Sequence, residues 1–422
     1  MKILVIGSGG REHALAWRLA QSPRASKIFV SPGNAGTSLE DGIENVSLHK
    51  IDDLIDFVIS ENIDMTIVGP EAPLSEGIVD AFKAKKLMIF GPVAAAAQLE
   101  SSKDFAKQFM KNHNIPTAEY STFTEPNEAH KYISAKGAPI VVKADGLAAG
   151  KGVVVAMTEQ EAHDAVDMML VDDGMGVAGA KVVIEEFLSG EEASFIVMID
   201  GEHILPLATS QDHKRLLNDD KGPNTGGMGA YSPAPVVSPE IHDKTMKEVI
   251  EPVLNGMKEA GTPFVGFLYA GLMISPDQTI KVLEFNCRLG DPETQPIMMR
   301  LKSDLVTLIE HALTGKLNEV ESSWDQRTAL GIVLAAKDYP QSPRKGDIIM
   351  IPPKDNASVH VFHAGTALID NQLVTNGGRV LCVTALGVNV NQARERALEA
   401  SDRITFADKQ YRTDIGSRAT KN

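Results

Sequence analysis

The chain has 422 residues, too many for one ordinary hydrophobic core, and this length suggests roughly two to four domains. Its formal net charge of −15 argues against a nucleic-acid partner, because such proteins need basic surface to displace phosphate counterions. No apolar run approaches the roughly 20 residues of a membrane span, and the N-terminus has no signal-peptide pattern. The two cysteines, Cys287 and Cys382, are far apart, so we expect a reduced, cytoplasmic protein.

The first hundred residues alternate short apolar runs with helical patterns. We expect strands over residues 3–6, 27–30, 65–68 and 87–90, which predicts a doubly wound parallel sheet. Ligands of such sheets bind at the carboxyl ends of the strands, where this chain has Gly-rich loops at residues 7–13, 32–37 and 69–74. The first loop resembles a dinucleotide fingerprint, but Glu12 replaces the third glycine and would face the pyrophosphate. These loops therefore favour a phosphosugar site over an NAD site; tight turns without a ligand are the alternative.

The next region begins with a predicted capping box, Ser101 with Asp104, which places Lys103 in the first turn of a helix. Strands at residues 139–143 and 152–156 flank a Gly-rich loop, with Lys143 before it and Lys151 at its end. The loop is not a Walker A motif, because its glycine spacing differs and Gly152 stands where Ser or Thr would bind magnesium. Such a hairpin can close over a triphosphate, and an ordinary surface hairpin is the alternative.

A strand expected over residues 182–188 ends in polar residues and can offer backbone groups to an adenine edge, with a carboxylate downstream for ribose hydroxyls. After the charged segment 210–215 comes a long Gly-rich loop at residues 222–229. A compact domain rarely keeps such a loop unless it has a function. Ser238 and Pro239 then predict the start of a helix that runs to about residue 260, followed by paired strands at 267–274 and 279–285.

The segment 282–295, VLEFNCRLGDPETQ, contains the clearest candidate metal ligands. Glu284 and Asn286 are two residues apart, so on a strand both side chains lie on one face, opposite Phe285. Mg²⁺ prefers oxygen ligands and usually takes only one or two from the protein, which this pair supplies. A solvent-facing strand edge is the alternative. Cys287 is interpreted as a buried neighbour rather than a nucleophile.

The segment around residues 319–326 is polar and reads as a linker. Beyond it we expect strands at residues 330–335, 348–351, 359–364 and 379–386, and then a helix from Asn389 through Ala400. The turn 376–379, Asn-Gly-Gly-Arg, either reaches a shared cleft or is a plain hairpin turn.

Eight motifs together resemble the glycinamide ribonucleotide synthetase family of the ATP-grasp superfamily: GxGGREHA, DGLAAGKGV, EEFLxGEExS, SQDHKR, GPNTGGMGAYSP, EFNxRxGDPETQ, VFHAGT and TNGGRVL. The resemblance covers essentially the whole chain. It implies a mixed α/β and α+β multidomain fold with three units. These are a parallel, doubly wound phosphosugar-binding domain at 1–100, an ATP-grasp domain at 101–323 with a lid at about 118–190, and a small α+β domain at 324–422.

The resemblance also implies a reaction in which ATP, glycine and 5-phospho-β-D-ribosylamine give glycinamide ribonucleotide, ADP and phosphate through a glycyl phosphate. This reaction is a step of purine biosynthesis. Phosphoryl transfer depends mostly on positioning and charge neutralisation, so cations and a metal are needed rather than a nucleophile. The expected partners are therefore small molecules, without nucleic acid or membrane, and we expect a monomer, with a dimer as the alternative. Another ATP-grasp ligase or carboxylase, or a nucleotide sensor without catalysis, are the alternative functions.

Carried over by motif, the resemblance assigns each part of the site to named residues. Lys103, Lys143 and Lys151 would contact the ATP phosphates. Glu185, Glu186, Phe187 and Leu188 would face adenine, and Glu192 the ribose. Glu284 and Asn286 would bind Mg²⁺ or Mn²⁺; the preceding strand, at residues 269–273, offers no further carboxylate. Arg288 and Asp212 would hold glycine and, with Lys143, act in catalysis. The remaining expected contacts to glycine or the phosphosugar are Gly9, Gly10, Glu12, Asn34, Gly36, Thr37, Pro70, Glu71, Lys214, Gly290 and Asp291.

Overall fold

The computed structural model describes residues 1–146, 152–171, 180–353 and 356–420. Its first part is a five-stranded parallel sheet with strand order β3-β2-β1-β4-β5. Leu4 and Ile6 of β1 pack into one core, and Ile3 and Val5 into another, so helices cover both faces as predicted. The short strand β3 was not predicted. The elements are β1 Lys2–Gly7, α1 Gly10–Ala20, β2 Lys27–Pro32, α2 Ala35–Leu39, β3 Ile43–Asn45, α3 Ile51–Glu61, β4 Met65–Val68, α4 Glu71–Ser75, α5 Ile78–Ala84 and β5 Ile89–Phe90.

Two helices then lead into a four-stranded antiparallel sheet with order β6-β9-β7-β8. The hairpin predicted around the Gly-rich loop is present as β7 and β8. The predicted cap of α7 was one residue early: Ser101 ends α6, and Ser102 Oγ accepts the N–H of Phe105 at 3.1 Å. The elements are α6 Ala94–Ser101, α7 Lys103–Asn112, β6 Tyr120–Phe123, α8 Pro126–Lys136, β7 Ile140–Ala144, β8 Val153–Ala156, α9 Glu159–Leu170 and β9 Val182–Glu186.

The third part contains a second antiparallel sheet, with order β11-β10-β16-β17. Ser238 and Pro239 begin α10 as predicted, and a π-helical turn, Met246–Ile250, joins it to α11. The elements are β10 Glu191–Asp200, β11 Ile204–Pro206, β12 Gln211–Asp212, β13 Arg215–Leu217, β14 Lys221–Asn224, β15 Gly229–Ser232, α10 Pro239–Thr245, α11 Glu251–Glu259, β16 Val265–Ile274, β17 Ile280–Asn286, α12 Thr294–Arg300 and α13 Leu305–Leu313.

The last part completes a five-stranded antiparallel sheet with order β12-β15-β18-β22-β19, which takes β12 and β15 from the preceding part. This sheet crosses the proposed boundary at residue 324, and the domain division stays a prediction. The strand expected at 348–351 is absent; Ile348 and Met350 form isolated bridges with Val374 and Thr405 instead. The elements are β18 Thr328–Ala335, β19 Val359–His363, β20 Thr366–Ile369, β21 Gln372–Thr375, β22 Arg379–Gly387 and α14 Val390–Arg403.

The apolar clusters cross between these parts. Residues of β1 and α5 share one cluster with α11, β16 and β17, while α1 shares another with α12, α13 and β22. Burial of this continuous apolar surface favours one arrangement of the sheets, and it fixes the loops at their ends relative to one another. Among the helices in the described ranges, none is long and apolar enough to cross a membrane.

Candidate active site

The two predicted metal ligands lie at the end of β17, where the strand borders a cleft. Glu284 is open to this cleft, whereas Phe285 is only 2% exposed and packs in the core. Although partial desolvation acts to raise it, the pKa of Glu284 is lowered by nearby cations, chiefly Lys214, Lys143 and Lys103. Glu284 is therefore ionised, and with the amide oxygen of Asn286 it offers the hard oxygen donors that a divalent cation prefers.

Two of the three lysines predicted at the ATP phosphates are described, and both are held by the protein. Lys103 Nζ donates to the carbonyl of Gly146 at 2.8 Å. Lys143 Nζ lies 2.9 Å from Glu185 Oε1 and donates to the carbonyl of Leu283 at 3.3 Å. Lys151 lies outside the described residues, so its contact with the phosphates stays a prediction. The ammonium groups of Lys103 and Lys143 place positive charge on the Glu284 side of the cleft, which suits a polyphosphate.

The predicted adenine strand has one buried and one half-exposed carboxylate. Glu185 is paired along its backbone with Tyr120 and Val141, and its side chain is 2% exposed. Glu186 forms an ion pair with Lys281. Because the strand ends at Glu186, only Phe187 and Leu188 leave the sheet, and Phe187 is 38% exposed. Contact with adenine is therefore assigned to Phe187 and Leu188, and it stays a prediction.

The residues predicted at the ribose and the glycine ammonium are neighbours. Lys214 Nζ lies 2.6 Å from Glu192 Oε2. Burial raises the pKa of Asp212 to about 7. The positive charge of Lys214 acts to lower this pKa, whereas the carboxylates of Glu293 and Glu192 act to raise it. A buried carboxyl with such a pKa gains stability when an ammonium group is placed beside it, which is the property expected of a glycine site.

Arg288 lies between the metal strand and the first sheet. Its Nη2 is 2.7 Å from Glu100 Oε1 and 3.3 Å from the amide oxygen of Asn286, while its Nε is 3.3 Å from Glu71. Although burial acts to lower it, the pKa of Arg288 is raised by Glu100 and Glu71, so the guanidinium is always charged. Arg288 therefore stands beside the predicted metal ligand Asn286, as the spacing in the sequence indicates.

A cavity of about 490 Å³ opens at the carboxyl ends of the first sheet's strands. Arg11 and Asp291 supply charged groups of opposite sign, and Leu48, Ile51 and Leu54 supply an apolar wall. Glu12 also lines the cavity but is turned back on the protein, accepting the N–H of Gly9 at 2.6 Å and pairing with Arg11 at 2.5 Å. Of the residues predicted to hold the phosphosugar or glycine, four line this cavity: Gly9, Glu12, Pro70 and Asp291.

Three other residues of that prediction, Asn34, Gly36 and Thr37, pack at the junction with β19 and do not line the cavity, and their contact with a substrate stays a prediction. Asn34 caps α2 by accepting N–H groups from Gly36 and Thr37, and its Nδ2 donates to the carbonyls of Ser8 and His363. A Cβ on Gly36 would lie 2.4 Å from the Cβ of His363. The loop at residues 32–37 therefore joins the first sheet to β19. This contact is a structural reason for its Pro-Gly-Asn-Ala-Gly-Thr sequence.

A histidine cluster at the same junction has the spacing of a metal site. Nε2 of His13 and Nε2 of His360 lie 3.2 and 2.9 Å from Oε1 of Glu40. However, Nδ1 of His13 accepts the backbone N–H of His363 at 2.8 Å, so the ring proton is on Nε2 and points at Glu40. A protonated Nε2 cannot ligate a metal ion, and the cluster instead links α1 to β19.

Three models of one family match successive parts of the chain. They are the phosphoribosylglycinamide synthetase N domain over residues 1–100, its ATP-grasp (A) domain over 101–294, and its C domain over 329–418. The chain belongs to the phosphoribosylglycinamide synthetase family.

Its relatives agree over their full lengths. Proteins described as phosphoribosylamine–glycine ligase from Ralstonia nicotianae and Escherichia coli K12 are each 60% identical to the chain, over 100% of both chains for the first and 99% of both for the second. A crystal structure of phosphoribosylamine–glycine ligase from Thermotoga maritima has a TM-score of 0.85 at 34% identity, covering 98% of this chain and 100% of that one. Biotin carboxylase from Campylobacter jejuni, at 15% identity and a TM-score of 0.73 over 100% of this chain and 95% of that one, shares the fold.

Two buried charged residues that contact the predicted site region, Lys107 and Glu293, were not predicted from the sequence. Lys107, 2% exposed, pairs with Glu185 Oε2 at 2.9 Å, so Glu185 lies between two lysines. Glu293, 4% exposed, accepts a hydrogen bond from Ser194 Oγ at 3.2 Å. Lys107 follows Lys103 by one helical turn, and that i, i+4 spacing is a signal that could have found it. Glu293 stands inside the GDPETQ motif, where nothing local distinguishes it from a surface carboxylate.

Proposed function

We propose that this chain uses ATP to ligate glycine to 5-phospho-β-D-ribosylamine, giving glycinamide ribonucleotide, ADP and phosphate in purine biosynthesis. The observation that supports this proposal is that a cationic cleft and a cavity adjoin in a chain of this family. A cleft with Lys103, Lys143 and Arg288 around Glu284 adjoins a cavity built by the Gly-rich loops of the first sheet. One end suits a polyphosphate and a metal, and the other a sugar phosphate.

In the proposed first step, an oxygen of the glycine carboxylate attacks the γ-phosphorus of ATP, and the bond from that phosphorus to the ADP oxygen breaks. The product is a glycyl phosphate. Lys103 and Lys143 offset the charge that develops on the transferring group, while Asp212 holds the glycine ammonium and Arg288 its carboxylate. Such a reaction depends on orientation and preorganised charge, both of which fixed side chains supply.

In the second step the ribosylamine nitrogen attacks the glycyl carbonyl carbon. A carbon–nitrogen bond forms, the carbon–oxygen bond to phosphate breaks, and the phosphate oxygen keeps the electron pair. The nitrogen loses one proton, which passes to the departing phosphate or to solvent, so atoms and charge balance.

A divalent cation fits the oxygen donors of Glu284 and Asn286, and we propose that these two residues hold Mg²⁺ or Mn²⁺. The ionised state of Glu284 and its exposure to the cleft support this assignment. The metal would neutralise charge on the β- and γ-phosphates. We further propose that the protein acts as a monomer on small-molecule substrates.

The test is ADP release measured with ATP, MgCl₂, glycine and phosphoribosylamine, the last supplied from ribose 5-phosphate and ammonia. We expect ADP release to require both substrates, with alanine and serine replacing glycine poorly. Release that depends on bicarbonate and biotin instead would identify the chain as a carboxylase with this fold. ATP binding without release under any of these conditions would favour a nucleotide sensor.

A further inference from the structure

Two Gly-rich segments, residues 222–229 and 376–379, meet at the side chain of Arg379. Arg379 Nη1 donates to the carbonyl oxygens of Gly226 and Asp291, each at 2.5 Å. Its Nη2 lies 3.4 Å from Asp291 Oδ2, and the side chain is 22% exposed. One guanidinium from the last sheet therefore holds the Gly-rich loop and the turn after Arg288 at the same time.

The glycines of the loop are needed for this approach. A Cβ on Gly226 would lie 3.0 Å from Cζ of Arg379, and one on Gly227 would lie 2.5 Å from Cδ of Pro292. Gly227 also has a φ of +111°, a conformation that other residues rarely adopt. The N–H of Gly226 donates to Tyr339 Oη at 2.9 Å. The loop is thus packed against Arg379 and Pro292, which explains a motif that the ATP and glycine contacts leave unused.

The group that this arrangement orients is the carboxylate of Asp291. Gln295 Nε2 donates to its Oδ1 at 2.8 Å, and Arg379 faces its Oδ2. Burial acts to raise the pKa of Asp291, but Arg379 and Arg11 lower it, so the carboxylate is ionised. Asp291 lines the cavity at the end of the first sheet, and its Oδ2 would be 3.4 Å from a Cβ on Gly9.

Asp291 also lies where the cavity adjoins the phosphoryl-transfer cleft. The carbonyl of Leu289 accepts hydrogen bonds from Arg11 Nη1, on the cavity side, and from Arg288 Nη1, on the cleft side, both at 3.2 Å. Two other carboxylates line the cavity. Glu12 is already paired with Arg11, and Glu76 is exposed at the end of α4. Of these three carboxylates, Asp291 is the one that other side chains hold in place where the cavity adjoins the cleft.

We propose that Asp291 accepts a hydrogen bond from the amino group of phosphoribosylamine, and that Arg379 is a positioning residue that holds Asp291 for this contact. The inference rests on the proposed function. The amine must reach the carbonyl carbon of an activated glycine held near Arg288, so within the cavity it lies at the Asp291 end. An ionised carboxylate with both oxygens already oriented accepts an amine N–H without reorganising, and directs the nitrogen lone pair towards the carbon.

The test separates the acceptor step from glycyl phosphate formation by replacing phosphoribosylamine with hydroxylamine, which yields glycine hydroxamate without using the cavity. The variants are Arg379→Ala, Arg379→Lys, Asp291→Asn and the double variant Arg379→Ala/Asp291→Asn. The matched control is Arg394→Ala, on α14, whose side chain makes one surface hydrogen bond to Asn391. Wild-type protein that releases no ADP with glycine and phosphoribosylamine would refute the proposed function itself.

We expect Arg379→Ala and Asp291→Asn each to lower kcat/KM for phosphoribosylamine by about tenfold or more, with Arg379→Lys in between, while hydroxamate formation stays within about twofold of wild type. The double variant should be no worse than Asp291→Asn, because Arg379 acts through that carboxylate. An unchanged kcat/KM, a parallel loss of hydroxamate formation in the near-isosteric Asp291→Asn, or additive losses in the double variant would each overturn the inference.

Discussion

The substitution Lys107→Met tests the lysine–carboxylate–lysine arrangement behind the predicted phosphate site. Lys107 Nζ lies 2.9 Å from Glu185 Oε2 and donates to Thr117 Oγ1 at 2.8 Å. The other oxygen of Glu185 is 2.9 Å from Lys143. Both Lys107 and Glu185 have side chains that are no more than 3% exposed. Water therefore cannot reach the Glu185 carboxylate to replace the lost ammonium group of Lys107.

The expected loss in the free energy of unfolding follows from this burial. Removing one partner of a buried ion pair costs roughly 3–5 kcal/mol, because the remaining charge is left uncompensated. Since Lys143 still faces Glu185, we expect the lower end, about 3 kcal/mol in the free energy of unfolding. Burial lowers the pKa of Lys107 to about 8 despite the attraction of Glu185. Between that pH and the higher pKa of a lysine in the unfolded chain, the unfolded state binds more protons, so the contribution of this group to the stability of the wild type rises with pH. We also expect a higher KM for ATP, because Glu185 then competes more strongly for Lys143.

Urea unfolding at pH 7 and ATP titrations of the purified variants measure both effects. Lys111→Met, an exposed lysine on the same helix, is the control and should change the unfolding free energy by less than about 0.5 kcal/mol. Adding Glu185→Gln to Lys107→Met should recover part of the loss by removing the unpaired charge. A Lys107→Met protein as stable as the control, with an unchanged KM for ATP, would show that Lys107 does not stabilise the Glu185 carboxylate.

Three further predictions concern the centre of the site. Glu284→Ala should abolish ADP formation at saturating ATP, and near-normal turnover at any MgCl₂ concentration would contradict the metal assignment. Arg288→Lys should lower kcat/KM for glycine by roughly tenfold or more, because a point charge cannot replace a planar fork; an unchanged glycine KM and rate would contradict this. Because the pKa of Asp212 is raised to about 7 and its ionised form is the one that binds ammonium, kcat/KM for glycine should rise with pH up to about 7 and level off above it. A profile without that rise between about pH 6 and 7 would show that Asp212 does not bind the ammonium group.

Local sequence was sufficient for features that depend on neighbouring residues. The parallel sheet followed from the alternation of apolar runs and helical patterns, and the hairpin β7–β8 from two apolar runs around a Gly-rich loop. Thr158 and Glu161 form a capping box at the start of α9, a feature of the same local kind, because its hydrogen bonds join groups only three residues apart. The same locality explains the errors. A predicted cap shifts by one residue when two serines stand side by side, and Ile348 and Met350 form only isolated bridges where their composition alone suggested a strand.

The motifs identify the family, and the periodic patterns predict most of the elements and the side chains available for chemistry. Tertiary structure decided which of those side chains meet. Glu185 reads as part of an adenine strand, yet it is buried between Lys107 and Lys143. Asn34 is predicted from the sequence to contact the phosphosugar, and in the structure its side chain joins Ser8 to His363, which lies 329 residues after Asn34 in the chain. Arg379 reaches Asp291 because α12, which begins three residues after Asp291, packs against β18 and β22 of the last sheet. Charge pairing and close packing act through space, and their partners here are too distant in sequence for any local pattern to reveal.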